Sequence, residues 1–398
     1  MLRAQIIIIW ALFFLLQKDI SAQNTFNKAI DFQGAGEFAF SILPIDSNFV
    51  IYTGVSDSTF QYNGVTFDIV DELGDVKSRK QTLVYQKDLF PGLPNALKHR
   101  GDYFINGTTM GTSTESVGVL LKFNHVGDTI FFKEYYIDSI TAGYDICISN
   151  SNEYYIVGYT QQNVNTQPDY AVIKTDSLGK MIWGKRYGFG LREMAQSIIE
   201  YGNERFFVFG GRVYSGNLSA PWIVDIDSAG NVIRDKWFLQ GALRCGSFLA
   251  NKSFTDNIII YGCLDTVINI NGDGATRYIG IFDTSMNVQI VHIYDNTRFT
   301  YPYIVKQLPT DSSFVTVGFR VNAPGSSQAL GYISKVSKNG QLLWEREYFY
   351  KSEIANYFSD FQPTADGGFI ITGSTIGDLS QDMWLVKLDS LGLLNDSL

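Results

Sequence analysis

Four carboxylates, Asp169, Glu193, Asp273 and Asp382, fall in or beside the most variable segments of this chain. A glycoside-cleaving enzyme needs two such acids flanking the bond, about 5–10 Å apart, and nothing in their spacing pairs them. The histidines His99, His125 and His292 are scattered, without metal-ligand spacing or a nucleophile partner. His-Glu-x-x-His, Gly-x-Ser-x-Gly and phosphate-loop motifs are absent, and the Gly-x-Gly-x-x-Ala string at Gly34 to Ala39 opens no helix. Asn269 to Gly274 begins like a calcium loop, but Gly280 stands at its twelfth position and Arg277 at its ninth, so a plain Asn/Gly loop is preferred. No catalytic residue, metal or cofactor is therefore expected. A binding surface is better supplied. Asn163, Asp169, Phe189, Arg192, Asn217, Asn271, Asp273, Tyr301, Tyr303 and Asp382 combine amides, charges and rings, the set that holds a sugar by stacking and hydrogen bonding.

What positions those residues is a repeat. An apolar run ending in glycine recurs at Gly54, Gly107, Gly158, Gly210, Gly262, Gly318 and Gly373, at spacings of 53, 51, 52, 52, 56 and 55 residues. A second glycine follows in the turns DELG (Gly74), NHVG (Gly127), DSLG (Gly179), DSAG (Gly230), SKNG (Gly340) and DSLG (Gly392). The fifth repeat has DTSMN, with Asn287 read in the glycine slot. Asp, Asn or Ser three residues ahead can accept local backbone N–H groups while the glycine takes a positive φ, so DSLG reads as a hairpin bend and not as a metal loop. Residues 197–238 resolve into four short runs rich in Ile, Val, Phe and Tyr, and helical periodicity is nowhere sustained. Middle runs such as FFVFG and IIIYG are apolar on both faces, as sheets covered on both sides require. Seven units of this length predict an all-β, seven-bladed β-propeller of four-stranded antiparallel blades.

Thr25-Phe26-Asn27-Lys28 aligns with Ile182-Trp183-Gly184-Lys185, so the N-terminal strand is expected to complete the last blade and close the ring. The recurring aromatics Phe131, Trp183, Trp344, Trp222, Tyr332 and Trp384 should fill space between sheets. Lys122, Lys174, Lys335 and Lys387 share one position and are expected to pair with carboxylates of the next blade. Connections after the second and fourth strands of each blade share one face. They are the long and variable ones, which is why the ten candidate residues are assigned there. Cys245 and Cys263 lie on neighbouring strands of the fifth repeat and form a disulfide only if the register lets them face each other.

Arg3 precedes an apolar run from Ile6 to Leu16 that is too short to span a bilayer, followed by Ser21-Ala22. Residues 1–22 are thus expected to be a cleaved secretory signal, and residues 23–398 a single propeller domain, extracellular or at the cell surface, with the periplasm as the alternative. A formal net charge of -9 argues against nucleic-acid and anionic-membrane partners, and no membrane insertion is expected after cleavage.

The unit IKTDSLGKMIWGKRYG resembles the repeat of quinoprotein-like (PQQ-like) propellers. Residues 366–392, with DGGFIITGST and DMWLVKLDSLG, resemble repeats of secreted bacterial propeller proteins often fused to a C-terminal secretion sorting domain. The resemblance covers the mature chain and implies fold and export without a defined activity. This chain stops inside its seventh repeat without a sorting domain, which puts surface export in doubt. It also lacks the adjacent-cysteine pair of the quinoprotein enzymes, so no quinone is implied. The function expected is a non-catalytic exported binding or scaffold protein recognising a polysaccharide or cell-surface protein. The alternative is a glycoside hydrolase-like propeller with paired carboxylates.

Overall fold

The computed structural model describes residues 23–32, 36–56, 63–83, 88–110, 116–215, 218–238, 243–253, 257–266, 275–294, 299–322, 326–376 and 381–394. The expected signal, residues 1–22, lies outside them. The described elements are all strands. After β1 (Phe26–Ile30), the first repeat forms β2 (Glu37–Ile45), β3 (Asn48–Ser56), β4 (Asn63–Val70) and β5 (Val76–Leu83). The second forms β6 (Asp88–His99), β7 (Asp102–Met110), β8 (Ser116–Phe123) and β9 (Thr129–Tyr135), and the third β10 (Ile140–Ile148), β11 (Tyr154–Gln161), β12 (Asp169–Thr175) and β13 (Met181–Tyr187). The fourth forms β14 (Glu193–Glu200), β15 (Arg205–Ser215), β16 (Leu218–Asp227) and β17 (Val232–Trp237), and the fifth β18 (Leu243–Lys252), β19 (Ile258–Thr266), β20 (Ala275–Phe282) and β21 (Val288–Tyr294). The sixth forms β22 (Phe299–Gln307), β23 (Phe314–Val321), β24 (Ala329–Val336) and β25 (Leu342–Tyr348), and the seventh β26 (Tyr357–Pro363), β27 (Phe369–Ile376) and β28 (Gln381–Leu388).

Strands pair antiparallel in chain order within each repeat. Five four-stranded sheets result, and the second and third repeats are joined through a parallel bridge between Ser116 and Ile140 into an eight-stranded one. The seventh repeat supplies three strands, and β1 pairs with β28, Phe26 opposite Lys387. Phe26 thereby takes the place that Trp183 holds opposite Lys174 and Trp344 holds opposite Lys335. Middle strands are buried on both faces, as in Phe206, Phe207, Val208 and Phe209. Each such side chain stabilises the fold by about 1.5–3 kcal/mol when removed from water. Apolar clusters join consecutive repeats, and Ala39, Ile42, Ile51 and Val70 pack the first repeat against Ile370, Met383 and Leu385 of the seventh.

The first glycine series has a reason the periodicity alone does not give. Inner strands carry a bulge, at Gly143/Asp145, Ala195/Ser197, Pro302/Ile304 and Phe358/Asp360, that pushes their backbone onto the neighbouring strand. A Cβ on Gly158, Gly210, Gly318 or Gly373 would lie 1.8–2.0 Å from the carbonyl oxygen of Ala142, Met194, Tyr301 or Tyr357. Only glycine admits that approach.

DSLG is a bend. Asp176 Oδ1 accepts the N–H groups of Leu178 and Lys180 at 2.9 and 2.8 Å, and Gly179 has φ 75°. In the fifth repeat Met286, not Asn287, fills the glycine slot with φ 62°, because its side chain is drawn into the core, while Asn287 bonds back to Asp283. The lysines also differ from expectation. Lys122, Lys174, Lys335 and Lys387 pair within their own repeats with Asp102, Glu153, Asp311 and Asp366, at 2.9, 2.8, 2.8 and 2.6 Å. Strands of one sheet stand about 5 Å apart whereas packed sheets stand about 10 Å apart, so the nearer acid wins. In the fourth repeat Asp225 takes the lysine's place and its partner becomes Arg205, at 2.6 Å. Phe131, Trp183, Trp344 and Phe26 each cover the turn glycine of the following sheet, at Gly179, Gly230, Gly392 and Gly74.

Candidate functional site

Strands β2, β6, β10, β14, β18, β22 and β26 together line a cavity of about 340 Å³. Asp145, Gln196, Asn251, Lys306, Asp360 and Gln362 supply its polar groups. Most of these are staples between sheets. Asp360 accepts Ser41 Oγ at 2.7 Å, the N–H of Ile42 at 3.1 Å and Lys306 Nζ at 2.6 Å. Asp145 accepts the N–H groups of Ile146 and Ile198 at 2.8 and 2.9 Å, and Ser197 Oγ that of Ala250 at 3.1 Å. Burial pushes the Asp145 carboxyl up to about 7, partly offset by those two backbone donors. With their oxygens committed to backbone groups, the two acids fix the inner strands and are not set up to attack a substrate.

The opposite ends of the inner strands carry rings. Tyr301 stacks on Phe319 with centroids 4.8 Å apart and planes 13° apart, and Tyr303 and Tyr357 flank Phe319 at 5.4 and 4.9 Å. All four are half-buried, and they sit where the connections after second and fourth strands emerge. Phe189, 64% exposed, lies 4.1 Å from the Arg212 guanidinium and 5.6 Å from Trp222. Arg192, three residues after Phe189, is exposed, and Asn163 caps its own loop by accepting the Asn165 N–H at 2.9 Å. The expected binding residues therefore divide among separate sheets. Tyr301 and Tyr303 are brought together, whereas Asn163, Asp169, Phe189 and Arg192 belong to the third and fourth repeats and Asp382 to the seventh. Asn217, Asn271 and Asp273 lie outside the described residues. In the fifth repeat Cys263 stands opposite Ser247 and Cys245 opposite Leu264, with a bulge between Cys245 and Ser247, so the two cysteines are diagonal neighbours.

Sequence reasoning named only Glu193 of a set of buried polar groups at the start of the inner strands, because each pairs with a connection that periodicity does not place. Glu37, Thr141, Glu193 and Asn356 accept the N–H groups of Phe32, Ile137, Phe189 and Tyr350. Glu193 also meets Arg212 at 3.0 Å. Burial raises both Glu37 and Glu193 to about 7, opposed by Arg79 at the first and by the Phe189 N–H and Arg212 at the second. Each glutamate has an aspartate from the preceding sheet beside it: Asp382 for Glu37 and Asp169 for Glu193.

No protein-family model matches this chain, and no curated protein matches it. Solved structures do. A polysaccharide lyase of a new family, an ulvan lyase bound to -[GlcA(1-4)Rha3S]-, superposes with TM-score 0.55 at 6% identity, covering 91% of this chain and 96% of its own. Another structure titled as ulvan lyase gives 0.53 at 6% identity, over 92% and 96%. The β-propeller domain of the Trilobed protease from Pyrococcus furiosus gives 0.47 at 11% identity, over 88% and 93%.

The fold is a β-propeller.

Its antiparallel four-stranded sheets act as blades, with inner strands facing the cavity and the aromatic groups of the sixth and seventh repeats at one rim. At these identities the likeness carries the fold and nothing of the chemistry.

Proposed function

We propose that this protein is an exported, non-catalytic, seven-bladed propeller that binds a polysaccharide through its loop-rich face. The observation that carries the reading is the half-exposed shelf of Tyr301, Tyr303, Phe319 and Tyr357. A ring buried between sheets needs no exposure. Four rings left partly open at one rim offer flat apolar faces, with phenolic hydroxyls on the three tyrosines, as a sugar ring requires. A polysaccharide lyase of similar fold is bound to -[GlcA(1-4)Rha3S]-, which is in keeping with this use of the rim. Seven blades closed into a ring are supported by the seven recurring glycines and by β1 pairing with β28. Export is supported by the sequence of residues 3–22.

Glycan-array binding followed by titration calorimetry tests this. Tyr301→Ala and Phe319→Ala should each weaken glycan binding by tenfold or more, about 1.4 kcal/mol, with the melting midpoint reported beside it. Absence of any glycan bound, or binding unchanged in both variants, defeats the reading; capture of a cell-surface protein instead would move the ligand class to protein.

A hydrolase reading has one observation in its favour. Glu193, held near 7 beside Asp169, has the character of a general acid. Against it, Arg212 and the Phe189 N–H hold the carboxylate in place. Reducing-sugar release abolished by Glu193→Gln would establish that reading.

A further inference from the structure

Among the described residues, three acids from separate elements come together. Asp31 in the connection after β1, Glu37 at the start of β2 and Asp382 in β28 each present one carboxylate oxygen within 4.8 Å of the others. Acid clusters are common on surfaces, but this one reaches inside. Glu37 is 1% exposed, and its Oε2 is buried without a hydrogen-bond partner. Leaving a charged oxygen so is costly unless a cation meets it.

In other repeats the same position faces a polar partner across the ladder, although Glu193 Oε2 is also buried without a hydrogen-bond partner. The residue across the ladder from Glu193 is Arg212, and from Thr300 it is Arg320, whose Nε donates to Thr300 Oγ1 at 2.9 Å. Thr160 lies opposite Thr141 at 3.3 Å, and Thr375 Oγ1 donates to Asn356 Oδ1 at 2.7 Å. Opposite Glu37 stands Val55, which offers nothing. Arg79 approaches, but its Nε is engaged with Asp68 at 3.3 Å and its guanidinium lies over the Phe32 ring at 3.5 Å.

We propose that Asp31, Glu37 and Asp382 form a calcium site that fastens the first repeat and the connection after β1 to the last sheet. Calcium binds carboxylate oxygens at about 2.3–2.6 Å, so oxygens on one ion stand up to about 5 Å apart, and the observed spacing needs little adjustment. Magnesium, at about 2.1 Å, would require the three to contract. Exposed Asp31 leaves an entry path and room for water to complete the shell. The sequence reading, which expected no metal, could not have found the site, because residues 31, 37 and 382 meet only when β1 lies against β28.

The test uses the purified protein stripped with EDTA and returned to calcium chloride, followed by calorimetric titration and thermal melting. One equivalent of calcium should bind, and the melting midpoint should rise by about 3 °C or more at saturation. Glu37→Gln and Asp382→Asn should abolish both effects. Val55→Arg, which installs the guanidinium that Arg212 provides elsewhere, should melt at or above the calcium-free wild type and no longer respond to calcium. A wild type that neither binds calcium nor shifts overturns the proposal. So does a response that persists in both Glu37→Gln and Asp382→Asn, which would put the ion elsewhere, residues 269–274 included. If those variants fail to fold, exposed Asp31→Asn and Val55→Arg decide, and an undiminished response in both is equally fatal.

Discussion

Two junctions between sheets, third to fourth and seventh to first, are built on the same plan and finished differently. In each a glutamate opens the inner strand, accepts an N–H from the connection before it, and has an aspartate of the preceding sheet beside it. At the third-to-fourth junction the charge is met by Arg212, itself packed over Phe189 and Trp237. At the seventh-to-first junction Val55 stands in that place and a third acid, Asp31, is added. The first junction sets a guanidinium against its glutamate, although Glu193 Oε2 stays without a hydrogen-bond partner, whereas the second gathers three carboxylates where the chain must hold its two distant ends together. Electrostatic demand at a buried position is thus set by the cross-strand partner and not by the acid itself.

The sharpest way to break the comparison is to delete residues 23–30. Removing β1 bares the edge of β28 and uncovers Gly74, so the shortened protein is expected to lose its single cooperative unfolding transition and to associate, as read by light scattering. Next, Arg212→Met should leave Glu193 without its facing guanidinium. A loss of about 3 kcal/mol at pH 8 is expected in urea unfolding, and less at pH 5, where Glu193 takes a proton. A smaller effect follows from Glu193 alone. Its folded value of about 7 lies above the usual 4.5, so the native state holds a proton that the unfolded chain has released between those values. The contribution is full below about pH 4.5 and is lost as pH rises to 7; Glu193→Gln should flatten that part of the stability profile. Last, Lys28→Ala removes an exposed pair with Asp75 at 3.0 Å, and should cost no more than about 0.5 kcal/mol. A loss as large as that of Arg212→Met would show that the β1 junction depends on surface charge after all.

Much of the scaffold was legible in the sequence, because it is carried by local rules. The turns were readable, since Asp176 and its counterparts act on residues two and four positions away. The alignment of Phe26 with Trp183 anticipated the register of β1 on β28. Met286 was misplaced by one residue, since Asn is the commoner occupant of a positive φ and the pull of the core on the Met286 side chain is not a local property. The lysines were given to the wrong sheet for the same reason: spacing along the chain says which positions are equivalent, not which acid is nearer. The candidate site was read least well. Tyr301 and Tyr303 were read as neighbours in chain, whereas Phe319 and Tyr357, which lie against them, come from other strands. Asp382 was singled out as a surface ligand group, whereas it is a buried member of an acid set with Asp31 and Glu37.

The pairing of β1 with β28 has a consequence for where such a chain can be opened. The Gln23 amide donates to the Asp366 carbonyl oxygen, and Gln23 Oε1 accepts the Ser390 N–H at 2.9 Å, so residues 23 and 390 are side by side. A short linker between residues 394 and 23, with a new break in residues 136–139, yields a circular permutant in which every strand keeps its partners. In it the offset fourth strand would be continuous with its own sheet, and the severed junction would pass to another pair of neighbours.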